Sequence, residues 1–63
     1  MVKLKTIVVD DEMLARRLLL SCLREISEIE ILAECVNGRE ALTAVLELEP
    51  DLMFLDIRMP GLN

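Results

Sequence analysis

Three short apolar runs, separated by two segments with helical spacing, constrain the fold of this chain more than any other feature. In order, the alternating strand and helix segments are residues 5–9, 12–26, 30–36, 39–49 and 52–55. The first and last runs are apolar on both faces, which is typical of strands buried in a parallel sheet. Short connections through helices favour parallel pairing with right-handed crossovers. We therefore predict one α/β domain over residues 1–63, a doubly wound sheet in the order 2-1-3 with one helix on each face.

The sequence also predicts the ends and the buried faces of the two helices. Asn37 is suited to cap the second helix, and Pro50 prevents its continuation. Leu20 falls among arginines on a helical wheel of the first helix, so it is either a contact for a partner or an isolated exposed leucine. The residues predicted to face the sheet are Ala15, Leu18, Leu19, Cys22, Leu23 and Ile26 in the first helix, and Ala41, Ala44, Val45 and Leu48 in the second.

Charge and cysteine content argue against several classes of function. The 63 residues carry a formal net charge of -5, so the basic surface that non-specific nucleic-acid binding needs is absent, and we expect no nucleic-acid partner. The apolar stretches are too short to cross a membrane, and we expect a soluble, cytoplasmic protein. Cys22 and Cys35 are better explained as small buried residues in a reducing compartment than as a disulfide. The chain has no histidine to support a metal or redox role for them.

Three aspartates follow two of the predicted strands. Asp10 and Asp11 come directly after the first strand and Asp56 after the third, and the carboxyl ends of adjacent parallel strands meet at one crevice. Two carboxylates about 4 Å apart repel by roughly 4 kcal/mol at an effective dielectric of about 20, so such a cluster binds a cation or keeps a proton. Oxygen ligands favour Mg²⁺, and an aspartate beside it can attack phosphorus. Asp56 closes an apolar strand, and we predict that it is the nucleophile.

Each part of this cluster has a simpler explanation when it is taken alone. The triplet Asp10-Asp11-Glu12 could complement the macrodipole at the start of a helix. A single aspartate at a strand end, such as Asp56, could be a turn residue. The presence of both features in one short chain favours a site.

The motifs around these acids resemble those of a known family. They are Val8-Val9-Asp10-Asp11-Glu12, Asn37-Gly38 with Glu40-Ala41-Leu42, Pro50-Asp51-Leu52, and Asp56-Ile57-Arg58-Met59-Pro60-Gly61. At these spacings the chain resembles a bacterial response-regulator receiver domain along essentially its whole length, and Leu14-Ala15-Arg16 is similar to the first helix of LytTR-type regulators. The resemblance implies the amino-terminal half of a flavodoxin-like (CheY-like) fold.

The resemblance also implies a role for each acid. Asp56 would accept a phosphoryl group from a histidine kinase in a two-component phosphorelay. Asp11, Asp56 and the main-chain carbonyl of Arg58 would ligate Mg²⁺, with Asp10 assisting through water. On this basis we expect a phosphoacceptor protein rather than an enzyme with turnover.

The match covers only half of the family's domain, whose remaining strands would follow Asn63. Receivers use a Ser or Thr and a Lys at the phosphoryl group, and because no predicted strand end here offers either, we expect impaired signalling.

A third strand with an uncovered edge favours a homodimer. One alternative is a non-catalytic homodimeric or receiver-pairing interaction module. Flavin or nucleotide binding is a weaker alternative because the only glycines, Gly38 and Gly61, form no glycine-rich phosphate loop.

Overall fold

The computed structural model describes residues 3–56, which form a three-stranded parallel sheet with a helix packed on each face. The elements are β1 (Leu4–Val9), α1 (Met13–Arg24), β2 (Ile29–Cys35), α2 (Gly38–Leu48) and β3 (Leu52–Leu55). The strand order is β2-β1-β3 and both pairs are parallel, which confirms the predicted order 2-1-3. No helix in this described part is both long and apolar enough to span a bilayer.

Strand β1 is central and provides the residues around which both helices pack. Thr6 to Val9 are almost completely buried, since a strand is paired on each side and a helix lies on each face. Ile7 and Val9 pack against α2 in a cluster with Cys35, whereas Val8 packs against α1 on the opposite face. Full burial of such an apolar side chain contributes about 1.5–3 kcal/mol, so Ile7, Val8 and Val9 together contribute substantially to stability.

A bulge in β2 sets which of its side chains face each helix. Thr6 pairs with Ile31 but Ile7 pairs with Ala33, so Leu32 is an extra residue in the ladder. Both Leu32 and Ala33 pack on the α2 side, and the alternation resumes one residue later. As a result Cys35 joins the core beside Val9, and the charged Glu34 is placed on the α1 side.

The buried face of α1 differs from the predicted one. Leu20, predicted to lie among exposed arginines, is only 2% exposed, whereas Leu18, predicted to face the sheet, is 68% exposed. Leu20 and Leu23 pack against Val8 of β1, and Arg16 and Arg24, one turn before and after Leu20, both approach Glu34 of β2. Arg16 therefore lies against the sheet with a side chain only 14% exposed, whereas Arg24 remains 64% exposed at the same side of the helix.

The change of face also corrects the prediction for one cysteine. Cys22 is exposed and not buried, because it lies on the outer side of α1 once Leu20 faces the sheet. Cys35 is buried as predicted, and both thiols are free. Burial, and to a smaller extent the negative charge of Glu40, raises the pKa of the Cys35 thiol above its ordinary value.

Both ends of α2 follow recognisable capping chemistry. The side chain of Asn37 accepts a hydrogen bond from the amide of Glu40 at 2.8 Å, which confirms it as the N-cap, and the Glu40 carboxylate accepts one from the amide of Val36 at 3.0 Å. Glu49 ends the helix in the left-handed conformation, with a φ of 48°, directly before Pro50.

The predicted inner face of α2 is only partly buried. Ala41 and Ala44 lie in the core, but Val45 and Leu48 remain 37% and 40% exposed in the described structure. Within residues 3–56 these two side chains, predicted to face inward, are therefore only partly covered. Their position beside small alanines leaves a partly open apolar surface on this side of the sheet.

The assignment of the α1 face can be tested with a pair of leucine substitutions. Leu20→Ala removes a buried side chain, so we expect it to lower the free energy of unfolding by about 2–3 kcal/mol. Leu18→Ala changes an exposed position and should alter it by less than about 0.5 kcal/mol. Urea unfolding followed by circular dichroism measures both, and equal losses would contradict the assigned face.

Candidate functional site

The sheet hydrogen bonding continues one residue past the ends of two strands and fixes the backbone of two acids. The amide of Asp56 donates to the carbonyl of Val9 at 3.0 Å, and the amide of Asp10 donates to the carbonyl of Cys35 at 3.0 Å. Because Val9 pairs with Leu55, Asp10 and Asp56 emerge side by side at the same edge of the sheet. The backbone of both residues therefore belongs to the rigid sheet.

Three carboxylates converge at this edge. Asp10, Asp11 and Asp56 each offer one oxygen, and these oxygens all lie within 4.8 Å of one another. Asp10 is buried, Asp56 is half-buried and Asp11 is exposed, so the cluster runs from the sheet out to solvent. A shallow cavity of about 280 Å³ opens beside it, lined by Val9, Asp10, Leu19, Phe54, Leu55 and Asp56. The structure thus brings together the aspartates that the strand order predicted to meet.

Local hydrogen bonds show how two of the neighbouring acids, Asp10 and Glu12, shape the start of α1. Glu12 caps α1, since its carboxylate accepts from the amides of Leu14 at 3.0 Å and Ala15 at 2.9 Å. Asp10 Oδ1 accepts from the amide of Glu12 at 2.9 Å and so shapes the turn into the helix. Glu12 thus serves the start of α1 directly, whereas the Asp11 side chain makes no hydrogen bond to the helix within residues 3–56.

Arg16 is a component of this edge that the sequence reasoning missed. Its Nη1 donates to the carbonyl oxygen of Asp10 at 2.9 Å, and its Nε lies 3.3 Å from Glu34 Oε1. The side chain is only 14% exposed, although Arg16 is not among the residues of α1 predicted to face the sheet. The available signal was its position in the first turn of α1, since long side chains there point back toward the helix N-terminus.

The donor atoms of the cluster fit a hard divalent cation. All three are carboxylate oxygens, the ligands that Mg²⁺ takes together with water and phosphate oxygens. Three carboxylates this close repel strongly unless a cation or a proton offsets their charge. Arg58, predicted to contribute a main-chain carbonyl, lies outside the described residues, as does the rest of the motif after Asp56.

Comparison with known proteins identifies the family. The sequence pattern of the response regulator receiver domain matches residues 6–63, so the chain belongs to the response regulator receiver domain family, a module of two-component signalling systems. The fold agrees with this assignment. The signal receiver domain of NarL from Mycobacterium tuberculosis superposes with a TM-score of 0.90 and 31% identity, over 97% of this chain and 49% of that chain.

Longer proteins contain a similar segment. The transcriptional regulatory protein BtsR of Escherichia coli K12 is 50% identical over 60 residues, which are 95% of this chain and 25% of BtsR. An uncharacterised response regulatory protein of Yersinia pestis is 52% identical over 60 residues, with the same coverage. A protein-glutamate methylesterase/protein-glutamine glutaminase of Carboxydothermus hydrogenoformans is 43% identical over 63 residues, which are 18% of its length. The chain thus spans a quarter or less of these relatives.

The metal-binding capacity of the cluster can be tested with one pair of substitutions. Asp11→Asn removes one carboxylate from an exposed position, so we expect Mg²⁺ affinity to fall about tenfold or more. Asp51→Asn makes the same chemical change at the opposite end of β3 and keeps an oxygen for the amide of Lys5, so it should bind like the wild type. Amide shifts in an NMR titration measure both constants, and equal affinities would argue against a site at Asp11.

Proposed function

We propose that this receiver accepts a phosphoryl group on Asp56, with Asp10 and Asp11 holding Mg²⁺ beside it. The observation that carries the proposal is the convergence of one oxygen from each of these residues within 4.8 Å. When bound, Mg²⁺ supplies positive charge that offsets the negative charge on the transferring group. The role of Asp10 is the one implied by the family resemblance, assistance through a water molecule.

Asp56 is the best placed of the three acids to act as the nucleophile. Its amide is bonded to Val9 in the central strand, so its backbone is held at a fixed position at the mouth of the cavity. Asp10 already uses one carboxylate oxygen to accept from the amide of Glu12, and Asp11 projects into solvent. In the proposed step a carboxylate oxygen of Asp56 bonds to phosphorus as the phosphorus–nitrogen bond of a phosphohistidine breaks.

The proposed donor is a histidine kinase, and the proposed role is that of a phosphoacceptor protein rather than an enzyme with turnover. The transcriptional regulator and the methylesterase among the relatives are longer chains, and their activities are not assigned to this one.

Among the described residues Lys3 and Lys5 lie at the opposite end of β1 from the acids. Neither lysine is therefore placed to contact a phosphoryl group on Asp56, as the lysine of other receivers would by the family resemblance. For this reason we expect the 63-residue chain alone to be phosphorylated slowly.

Phosphorylation of Asp56 can be tested by intact mass spectrometry. Incubation of the chain with acetyl phosphate and Mg²⁺ should add one phosphoryl group, because the carboxylate lies beside the proposed metal site. Asp56→Asn should abolish the adduct, since the amide is a poor nucleophile. Asp51→Asn should retain it because that residue lies at the other end of β3. An adduct that persists in Asp56→Asn would refute the assignment.

A second candidate function, a self-associating interaction module, is favoured by the outer edge of β3. Within residues 3–56, β3 pairs with β1 alone, and its side chains Met53 and Leu55 are 42% and 40% exposed. An apolar strand edge of this kind pairs readily with another strand. A two-fold axis would join the β3 strands of two copies in antiparallel orientation and extend the sheet.

Self-association through β3 can be tested by sedimentation at tens of micromolar protein. If the second candidate is correct, the 63-residue chain is a dimer. Met53→Lys should then shift it to monomer, since a lysine on a strand edge discourages pairing. Leu46→Lys, at a position on α2 that is 71% exposed, serves as the control and should leave the dimer intact. A wild-type chain that sediments as a folded monomer would rule out this candidate.

A further inference from the structure

We propose that Arg16 is a positioning residue for the acidic site, because its guanidinium holds the peptide group that joins Asp10 to Asp11. This inference rests on the proposed function, since it concerns the same site. It adds a residue of α1 to the residues that hold Asp10 and Asp11 in position beside Asp56. Helix α1 contains several arginines, and Arg16 is the one whose side chain donates a hydrogen bond to Asp10.

The contact with the loop is made through main-chain atoms. Arg16 Nη1 donates to the carbonyl oxygen of Asp10 at 2.9 Å. Because a peptide group is planar, holding that oxygen also fixes the direction of the amide and the Cα position of Asp11. The Asp11 side chain makes no hydrogen bond of its own within residues 3–56. The placement of its carboxylate therefore depends on the backbone that Arg16 holds.

Arg16 is itself held from two directions. Its Nε lies 3.3 Å from Glu34 Oε1 on β2, and its own amide donates to the carbonyl of Glu12 at 3.0 Å in the first turn of α1. Arg24 Nη2 lies 4.0 Å from the other Glu34 oxygen and adds a second cation on the far side of that carboxylate. With a side chain only 14% exposed, Arg16 has little freedom to release the loop.

A purely structural ion pair is the simpler explanation, and it makes a different prediction. Partly exposed ion pairs contribute little to stability, and their loss leaves ligand affinity unchanged in molecules that remain folded. A purely electrostatic role also differs, because removal of a cation near a metal site strengthens binding of another cation. Positioning predicts the opposite sign, a weaker affinity. The direction of the change therefore separates the three roles.

The experiment is an NMR titration of the 63-residue chain with Mg²⁺ in matched arginine variants. Arg16→Ala should weaken binding about tenfold, as loss of groups that orient metal ligands typically does. Arg17→Ala removes the same charge from the exposed neighbouring position and should stay within about twofold of the wild type. Wild-type or tighter binding by Arg16→Ala would overturn the proposal.

Further variants keep the test decisive if Arg16→Ala unfolds. Arg16→Lys retains the charge but replaces the Nη1 and Nε atoms that contact Asp10 and Glu34 by one nitrogen without the planar fork, so its affinity should lie between those of the wild type and Arg16→Ala. Glu34→Gln keeps an acceptor for Arg16, whereas Glu34→Ala removes it, and only the second should release the arginine. We expect Glu34→Ala to bind Mg²⁺ about threefold more weakly than Glu34→Gln, and equal affinities would overturn the proposal.

The two proposals fail in distinguishable ways. If Mg²⁺ shifts no amide of Asp10, Asp11 or Asp56 in the wild type, the proposed site itself is wrong. If the wild type binds and Arg16→Ala binds equally well, the site stands and only the role of Arg16 is refuted. Thermal unfolding without metal, recorded on the same samples, shows which variants are folded.

Discussion

The site depends on a ladder of main-chain hydrogen bonds that extends beyond the ends of the strands. The amide of Asp10 is bonded to the carbonyl of Cys35, and the amide of Asp56 to the carbonyl of Val9. These bonds require that Cys35 lie opposite Val9, and the bulge at Leu32 is what sets that register. A one-residue slip would turn Glu34 into the core and move Asp10 away from its partner strand. The same pairing therefore positions the hydrophobic core and the acids.

The carboxylates that the sheet gathers are costly to hold together, and the neighbouring polar groups show how the cost is offset. Asp10 is only 7% exposed, and its carboxylate accepts the amide of Glu12 while its carbonyl accepts from Arg16. Hydrogen bonds to a charged group are stronger than those between neutral groups, so the bond from the Glu12 amide stabilises the buried carboxylate, whereas the Arg16 bond holds the main chain. Asp11 and Asp56 are more accessible to solvent, which is where a ligand would approach them.

The sequence predicted the elements and their order correctly because apolar periodicity reports local conformation, and β1 is buried on both faces as its composition indicates. It predicted the meeting of the aspartates because parallel strands place their carboxyl ends together. It did not predict which face of α1 packs against the sheet. Apolar residues cover more than half of that helix, so periodicity alone leaves its rotation undetermined. The rotation follows from the packing of Leu20 and Leu23 against Val8, and it brings Arg16 into contact with Glu34, which is distant in sequence. For the same reason the link from Arg16 to Asp10 could not be read from spacing.

The two outer edges of the sheet are treated differently. The β2 edge carries the charged residues Glu30 and Glu34 and the bulge at Leu32, features that discourage a further strand from pairing. The β3 edge has an uninterrupted apolar sequence, and Met53 on this strand remains 42% exposed. Among the described residues, the β3 edge therefore offers fewer obstacles to pairing with a further strand than the β2 edge does. Since Asp56 directly follows β3, whatever pairs with this edge lies beside the acidic cluster and can contribute groups to it.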